Sequence, residues 1–183
     1  MVPSKAVFLI GVFDECGRRN GGDFLSPESM TLLEEIEVES GLEAHIVFAI
    51  TDRKFAGKEK GVKLVDIKKE RARVLREINE VAPEYVFCYG RCALSSAHGR
   101  GSLTLDQFRR DSFRIDGCTG AFHVVDGLSR VLAQSGIRRW VKLDVHAAVA
   151  GLNGTTYGDY TILLPGDTGW GTIPKEIEQW IMG

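Results

Sequence analysis

The feature that most constrains the fold of this chain is the alternation of apolar strand patterns with helix patterns along the sequence. Apolar strands are predicted at 7–10, 44–51, 84–90 and 120–125. A helix pattern or helical turn follows each of them, and this order is typical of a parallel sheet with right-handed crossovers and helices on both faces. The sequence therefore predicts an α/β protein, a three-layer α/β/α fold around a central four-stranded, mostly parallel sheet.

The ends of the first two helices carry clear signals. Ser26 is a typical N-cap residue, Pro27 suits the first helical position, and Gly41 is a typical C-terminal stop. The second helix is predicted over 66–82, with one apolar face, and Pro83 follows it. Both helices are therefore expected to pack one side against the sheet.

The remainder of the chain predicts further elements but no linker and no repeat. After a helix over 127–136, a late strand is expected at 160–164 and a closing helix from Pro174. We therefore expect one domain over 1–183, with a core at about 5–150 and a C-terminal extension over 151–183. The position of the C-terminus is also compatible with a piece of a longer chain.

Composition is that of a globular domain. The chain has 183 residues, of which 44% are hydrophobic and 26% charged, and no apolar run is long enough to predict a membrane span. The start of the sequence lacks a signal-peptide pattern, so a cytoplasmic location and reduced cysteines are expected. Cys88 and Cys92 have no second close cysteine pair, so neither a metal site nor any other cofactor is predicted.

Positive charge is concentrated in one part of the sequence. The net charge is −2, but residues 91–140 contain eight basic residues, all of them arginines, against four acidic ones. Arginine suits phosphate recognition, and a basic segment in an acidic protein can attract a polyanion to one face. A solvated surface with scattered charge explains this composition equally well.

A ligand site is expected where the parallel strands end. In an open parallel sheet, ligands bind beyond the carboxyl ends of the strands. These ends are predicted at 11–24, 51–52, 90–91 and 122–126. The first is a long, glycine-rich loop, and long loops in compact domains are often functional. The second leads into a charged, glycine-punctuated loop over 52–63.

Several short stretches together suggest a family. They are Gly21-Gly22-Asp23-Phe24 followed by "LLEEIEVESGL", then "PEYVFCYGRCA", and then "SLTLDQFRR". Their order and spacing resemble the uracil-DNA glycosylase superfamily, especially its compact bacterial and archaeal branches, over roughly residues 5–150. The resemblance implies the glycosylase-like form of the three-layer fold and a function on DNA.

The resemblance also implies roles for individual residues. In that family the loop after the first strand activates water, a phenylalanine stacks on the base, and later segments read the base and wedge into the DNA. The catalytic candidates are Asp14, Glu15 and His123. The base-binding candidates are Phe13, Phe24 and Thr51, and the DNA-backbone candidates are Arg91, Arg100, Arg109 and Arg110. Each also has an ordinary structural interpretation, such as a core phenylalanine, a solvated acid or a hydrogen-bonded edge histidine.

The residues that depart from the family pattern stand at the positions that the resemblance links to catalysis and base recognition. Val12 stands where some branches have the catalytic acid, Thr51 stands where an asparagine is usual, and valines stand at 124–125 where the family has Pro-Ser. Base excision calls for a carboxylate that orients water and a donor to the base oxygen. Valine cannot orient water, and a threonine hydroxyl lacks the paired donor and acceptor of an amide.

The favoured interpretation is therefore a DNA-binding, uracil-DNA glycosylase-like domain of a replication or repair assembly, with its catalytic residues eroded. It looks similar to the domains fused to bacteriophage DNA polymerases, which implies DNA and a polymerase as partners and a bacterial or phage-infected cell. One alternative is an active glycosylase that excises uracil or another damaged base. Another is a small α/β domain that binds a nucleotide or metabolite, although residues 11–17 lack the G-x-G-x-x-G turn.

Overall fold

The protein is a three-layer α/β/α sandwich in a computed structural model that describes residues 3–14, 24–101, 103–108 and 112–151. The central sheet has four strands in the order β2-β1-β3-β4, and every neighbouring pair is parallel. The strands are β1 (Ser4–Ile10), β2 (Leu42–Phe48), β3 (Tyr85–Tyr89) and β4 (Ala121–Val125). The predicted fold class is confirmed.

Helices cover both faces of this sheet. The helices are α1 (Pro27–Ser40), α2 (Leu64–Val81), α3 (Gly90–His98), α4 (Leu128–Ala133) and α5 (Ser135–Val149). The core on one face contains residues of α2 and α3, and the core on the other contains residues of α1, α4 and α5. None of the described helices is both long and apolar enough to cross a bilayer.

Strand β1 is apolar throughout because both of its faces are buried. Along β1, Val7 and Leu9 belong to one core, whereas Phe8 and Ile10 belong to the other. All four side chains are at most 4% exposed. Successive side chains of a strand point to opposite faces, so a strand between two helical layers needs apolar residues at every position.

The ends of α1 agree with the sequence prediction. The Ser26 hydroxyl accepts a hydrogen bond from the backbone N–H of Ser29 at 3.2 Å. At the other end Gly41 adopts a left-handed conformation with φ 64°. Both are the usual ways to satisfy the unpaired backbone groups of helix ends.

Two elements differ from the prediction. Strand β2 ends at Phe48 instead of residue 51, although the N–H of Ala49 still bonds to the carbonyl of Ile10 at 2.7 Å. The helix predicted over 127–136 ends at Ala133, and helix α5, which was not predicted, follows it and pairs with α1, for example through Lys142 and Glu35 at 2.8 Å. The strand predicted at 160–164 and the closing helix from Pro174 lie outside the described residues.

Candidate functional site

Three glycines bring the ends of β1, β3 and β4 close together at the carboxyl edge of the sheet. A Cβ atom on Gly90 would lie 3.1 Å from the Cα of Gly127, and one on Gly11 would lie 2.9 Å from the Cβ of Cys92. Gly90 also has φ 86°, which side chains other than glycine rarely adopt. The close approach of these backbone segments therefore depends on glycine.

A cavity of about 680 Å³ lies at this edge. It is lined by parts of the segment 57–62, by Leu64 and Ile67 of α2, by Arg91, Cys92 and Ser95 of α3, and by Gly101 and Ser129. Its volume falls within the range of about 300–1,000 Å³ that is usual for small-molecule sites. The end of a parallel sheet thus holds a ligand-sized cavity, as the sequence predicts.

Glu59 is the central carboxylate of this edge. It lies in a short 3₁₀ turn, Glu59–Gly61, and is partly buried. Its Oε1 accepts a hydrogen bond from the backbone N–H of Cys92 at 2.8 Å. Burial raises the pKa of Glu59, and the bond from Cys92 opposes that shift in part. The sequence interpretation missed this residue, since nothing in a charged loop signals which side chain turns inward.

A second, smaller cavity of about 60 Å³ adjoins the first. It is lined by residues 10–14, Gly57, Glu59, Tyr89, Leu128 and Ser129. Gly57, Glu59 and Ser129 also line the larger cavity. Tyr89 is buried, and among the described residues its hydroxyl has no hydrogen-bond partner.

The predicted base-binding phenylalanines form a cluster with Phe48 near the same edge. The ring of Phe13 lies 4.6 Å from that of Phe24 and 4.4 Å from that of Phe48. Phe13 is buried, whereas Phe24 is 40% exposed, and the guanidinium of Arg53 lies 5.9 Å from its ring centroid. Of the two predicted phenylalanines, Phe24 is the more exposed.

The side chain of Asp14 accepts hydrogen bonds at the N-terminus of α1. Its Oδ2 accepts hydrogen bonds from the backbone N–H of Ser26 and from the hydroxyl of Ser29, both at 2.8 Å. The backbone N–H of Asp14 donates to the carbonyl of Phe24 at 2.9 Å. A carboxylate at a helix N-terminus stabilises unpaired N–H groups and the helix dipole. Asp14 lines the small cavity but not the large one.

Thr51, predicted to read the base, does not line either cavity. Its hydroxyl donates to Oε2 of Glu70 on α2 at 3.2 Å. Thr51 is exposed just after the end of β2. The structure therefore places it at the predicted edge but turns its hydroxyl toward a helix.

Of the predicted DNA-backbone residues that the structure describes, Arg91 lines the large cavity. It is exposed and donates to the carbonyl of Gly101 at 3.3 Å. Arg100 is also exposed. The predicted residues Glu15, Arg109 and Arg110 lie outside the described part of the chain.

His123 was expected at the carboxyl end of the fourth strand, facing the crevice, and this placement is wrong. The strand ends at Val125, as predicted, but His123 lies in its middle, paired with Phe87 of β3, and lines neither cavity. Its ring stacks on that of Phe87 at 5.4 Å, and the side chain is 8% exposed. Burial lowers the pKa of His123 to about 4, so the imidazole is neutral near neutral pH.

The site contains cations in addition to the carboxylate. Lys58, Lys60 and Arg91 all line the large cavity. Within residues 3–14, 24–101, 103–108 and 112–151, no three His, Cys, Asp or Glu side chains are grouped to hold a metal ion.

Comparison with known proteins does not identify the chain. No family model matches it, and no curated protein matches it as a relative. Since a fold alone does not specify a function, the residues at the carboxyl edge carry the functional inference.

Proposed function

We propose that this protein is a DNA-binding domain that receives one nucleotide at the carboxyl edge of its sheet. The observation that carries the proposal is the ligand-sized cavity whose lining includes Lys58, Lys60 and Arg91. Three cations beside one cavity suit a phosphate-bearing ligand, since phosphate contacts dominate the affinity of proteins for nucleic acid.

The exposed ring of Phe24 supports a nucleotide ligand. Stacking of a base on an aromatic side chain contributes about 1–3 kcal/mol. Phe24 contacts Phe13, which lines the smaller cavity, and Arg53 lies over its ring. The resemblance to uracil-DNA glycosylases assigns base stacking to the same phenylalanine.

Two residues favour a protein that binds DNA without catalysis. Both stand in the loop to which the resemblance assigns the activation of water. Val12 has no group that can activate water, and Asp14 is engaged by Ser26 and Ser29 at the start of α1. The proposal therefore follows the resemblance as far as DNA binding in replication or repair, with a polymerase or another replication protein as the partner. It assigns no catalysis to these positions.

Salt-dependent binding tests the proposal. We expect the protein to bind a fluorescent single-stranded oligonucleotide of about 20 nucleotides, measured by anisotropy between about 50 and 200 mM salt. Replacing Lys58, Lys60 and Arg91 with alanine should weaken binding and make the slope of log K against log salt shallower by about 2. The slope changes because about 0.7 counterion per lost phosphate contact is no longer released.

A matched variant controls for the loss of charge alone. Lys68, Lys69 and Arg76 are exposed on α2 and do not line the cavity, and their replacement with alanine removes the same charge. This control should retain most of the wild-type affinity and slope. Equal losses in both variants, or no binding of the wild type at low salt, would contradict the proposal, and the second result would favour a metabolite site.

A further inference from the structure

The large cavity is lined by a carboxylate, Glu59, in addition to its cations. Within the described part of the chain no cation pairs with Glu59, and its one hydrogen bond comes from the backbone N–H of Cys92. We propose that Glu59 makes this cavity selective for guanine, by accepting hydrogen bonds from the two adjacent N–H donors of that base. The inference rests on the proposed function, because it names the base of the nucleotide that the cavity receives.

The carboxyl group of Glu59 is held in a fixed place with acceptor capacity left over. A Cβ atom on Gly11 would lie 3.2 Å from its Cδ, and one on Gly90 would lie 3.4 Å from its Oε1. The same oxygen accepts the bond from Cys92 at 2.8 Å. That bond uses one acceptor position, whereas an ionised carboxylate has about four. Glu59 can therefore accept two further hydrogen bonds from a ligand without moving.

The surroundings of Glu59 favour a ligand group that donates hydrogen bonds. Burial raises the pKa of Glu59, because the ionised carboxylate has lost water without gaining a cation. Hydrogen bonds to a charged acceptor are stronger than bonds between neutral groups. A phosphate, by contrast, is repelled by a carboxylate. The part of the nucleotide that lies at Glu59 is therefore one that carries N–H or O–H groups.

Within a DNA strand these donors are on the bases, since the sugar oxygens are esterified and the phosphates are ionised. Guanine alone has two adjacent N–H donors, at N1 and N2 of its Watson–Crick edge. Adenine and cytosine present one amino group beside an acceptor nitrogen. Thymine and uracil place one N–H between two carbonyl oxygens. An ionised carboxylate only accepts hydrogen bonds, so Glu59 matches guanine best and thymine or uracil least.

The rest of the lining also suits a purine. Val62, Leu64 and Ile67 provide apolar surface for the faces of the ring. Guanine has an acceptor, O6, beside its two donors, and the three cations of the lining supply donors both for this oxygen and for a phosphate. Sites for small molecules typically combine apolar walls with a few polar groups in this way.

Other carboxylates at this edge of the sheet are already engaged. Asp14 accepts two hydrogen bonds at the start of α1. Asp52 is exposed and pairs with Lys54 at 2.7 Å. Neither of them lines the large cavity. Glu59 is therefore the acceptor on which the base preference depends, and Asp52 is a suitable control.

Oligonucleotides that carry a single base test the inference. Each consists of about ten tetrahydrofuran abasic residues, a usual length for a single-strand site, around one central guanine, adenine, cytosine, thymine or hypoxanthine. Only this base can then enter the cavity. Fluorescence anisotropy at low salt gives the dissociation constants. We expect wild-type protein to bind the guanine oligonucleotide about 5–150-fold more tightly than the thymine one, the discrimination usual for one bidentate base contact.

Hypoxanthine separates the effect of the donors from that of ring size. It is a purine that keeps the N1–H and O6 of guanine but lacks the amino group at N2. We therefore expect it to bind more weakly than guanine and more tightly than thymine. Equal binding of guanine and hypoxanthine would contradict a pair of hydrogen bonds to Glu59.

Three variants separate base selection from a structural role. Glu59→Gln removes the charge and replaces one acceptor oxygen with a donor, so the guanine preference should fall to within a few fold of the other bases. Its affinity for an oligonucleotide of abasic residues alone should be at least that of wild type, whereas a structural defect would weaken every oligonucleotide alike. Glu59→Asp should keep part of the preference, and Asp52→Asn all of it. Thermal melting checks that each variant is folded.

The possible failures are distinguishable. A wild-type protein that binds these oligonucleotides equally, or prefers thymine, would overturn this inference and leave the proposed function standing. Absence of binding both to them and to the longer oligonucleotide used above would overturn both. A guanine preference that persists in Glu59→Gln would overturn the assignment to Glu59. The preference of the wild type decides the matter alone if that variant does not fold.

Discussion

Gly90→Ala is expected to destabilise the protein by about 2–6 kcal/mol, since backbone strain and overpacking each cost about 1–3 kcal/mol. Gly90 has φ 86°, and a Cβ atom there would lie 3.1 Å from the backbone Cα of Gly127. The backbone can yield only by separating the ends of β3 and β4. The same displacement would move Arg91, the next residue, which lines the cavity, so weaker DNA binding should accompany the loss. Urea unfolding at neutral pH measures the first effect and anisotropy the second.

Two other glycines separate the contributions. Gly41 has φ 64°, but a Cβ atom added there would lie within 4 Å of no other atom, so Gly41→Ala reports backbone strain alone. Gly61 has open space and no positive φ, so Gly61→Ala should change the free energy of unfolding by less than about 1 kcal/mol. A loss in Gly90→Ala no larger than that in Gly41→Ala would contradict the close packing at the carboxyl edge.

Acidification from about pH 7 to pH 4 is expected to remove on the order of 3 kcal/mol of stability through His123 alone. Burial lowers the pKa of His123 from 6.5 to about 4, so the unfolded chain takes up a proton at a higher pH than the folded protein. The stabilising contribution is complete above pH 6.5 and is lost as the pH falls toward about 4.

His123→Leu isolates this effect. Urea unfolding of wild type and variant at several pH values gives a difference in the free energy of unfolding, in which the titration of other groups largely cancels. That difference should shift in favour of the variant as the pH falls. A parallel pH dependence in wild type and His123→Leu would contradict the burial of a neutral imidazole.

The architecture was predictable because its signals are local. The apolar run that became β1 and the capping residues Ser26 and Gly41 act within a few residues of where they stand. Strands that are apolar throughout also predict burial on both faces, which two layers of helices provide. These signals suffice for the order of the strands and for the edge at which a ligand cavity forms.

The contents of the site were less predictable because they depend on contacts distant in sequence. Glu59 accepts a hydrogen bond from the backbone of Cys92, and Asp14 accepts one from the hydroxyl of Ser29. His123 lies inside β4, and its burial depends on packing against Phe87 of β3, which the sequence of β4 alone does not reveal. Helix α5 was missed although Val141, Val145 and Ala148 recur at helical spacing and are buried in the core.

The most direct test of the central claim is to map where DNA contacts the protein. Backbone amide signals of ¹⁵N-labelled protein are followed by NMR while a short single-stranded oligonucleotide is added. The largest shifts are expected for amides around the cavity, such as those of Gly11, Gly57, Arg91 and Gly101. Shifts confined to the outer surfaces of α1 and α5, with these amides unmoved at saturation, would contradict the claim that the carboxyl edge of the sheet binds DNA.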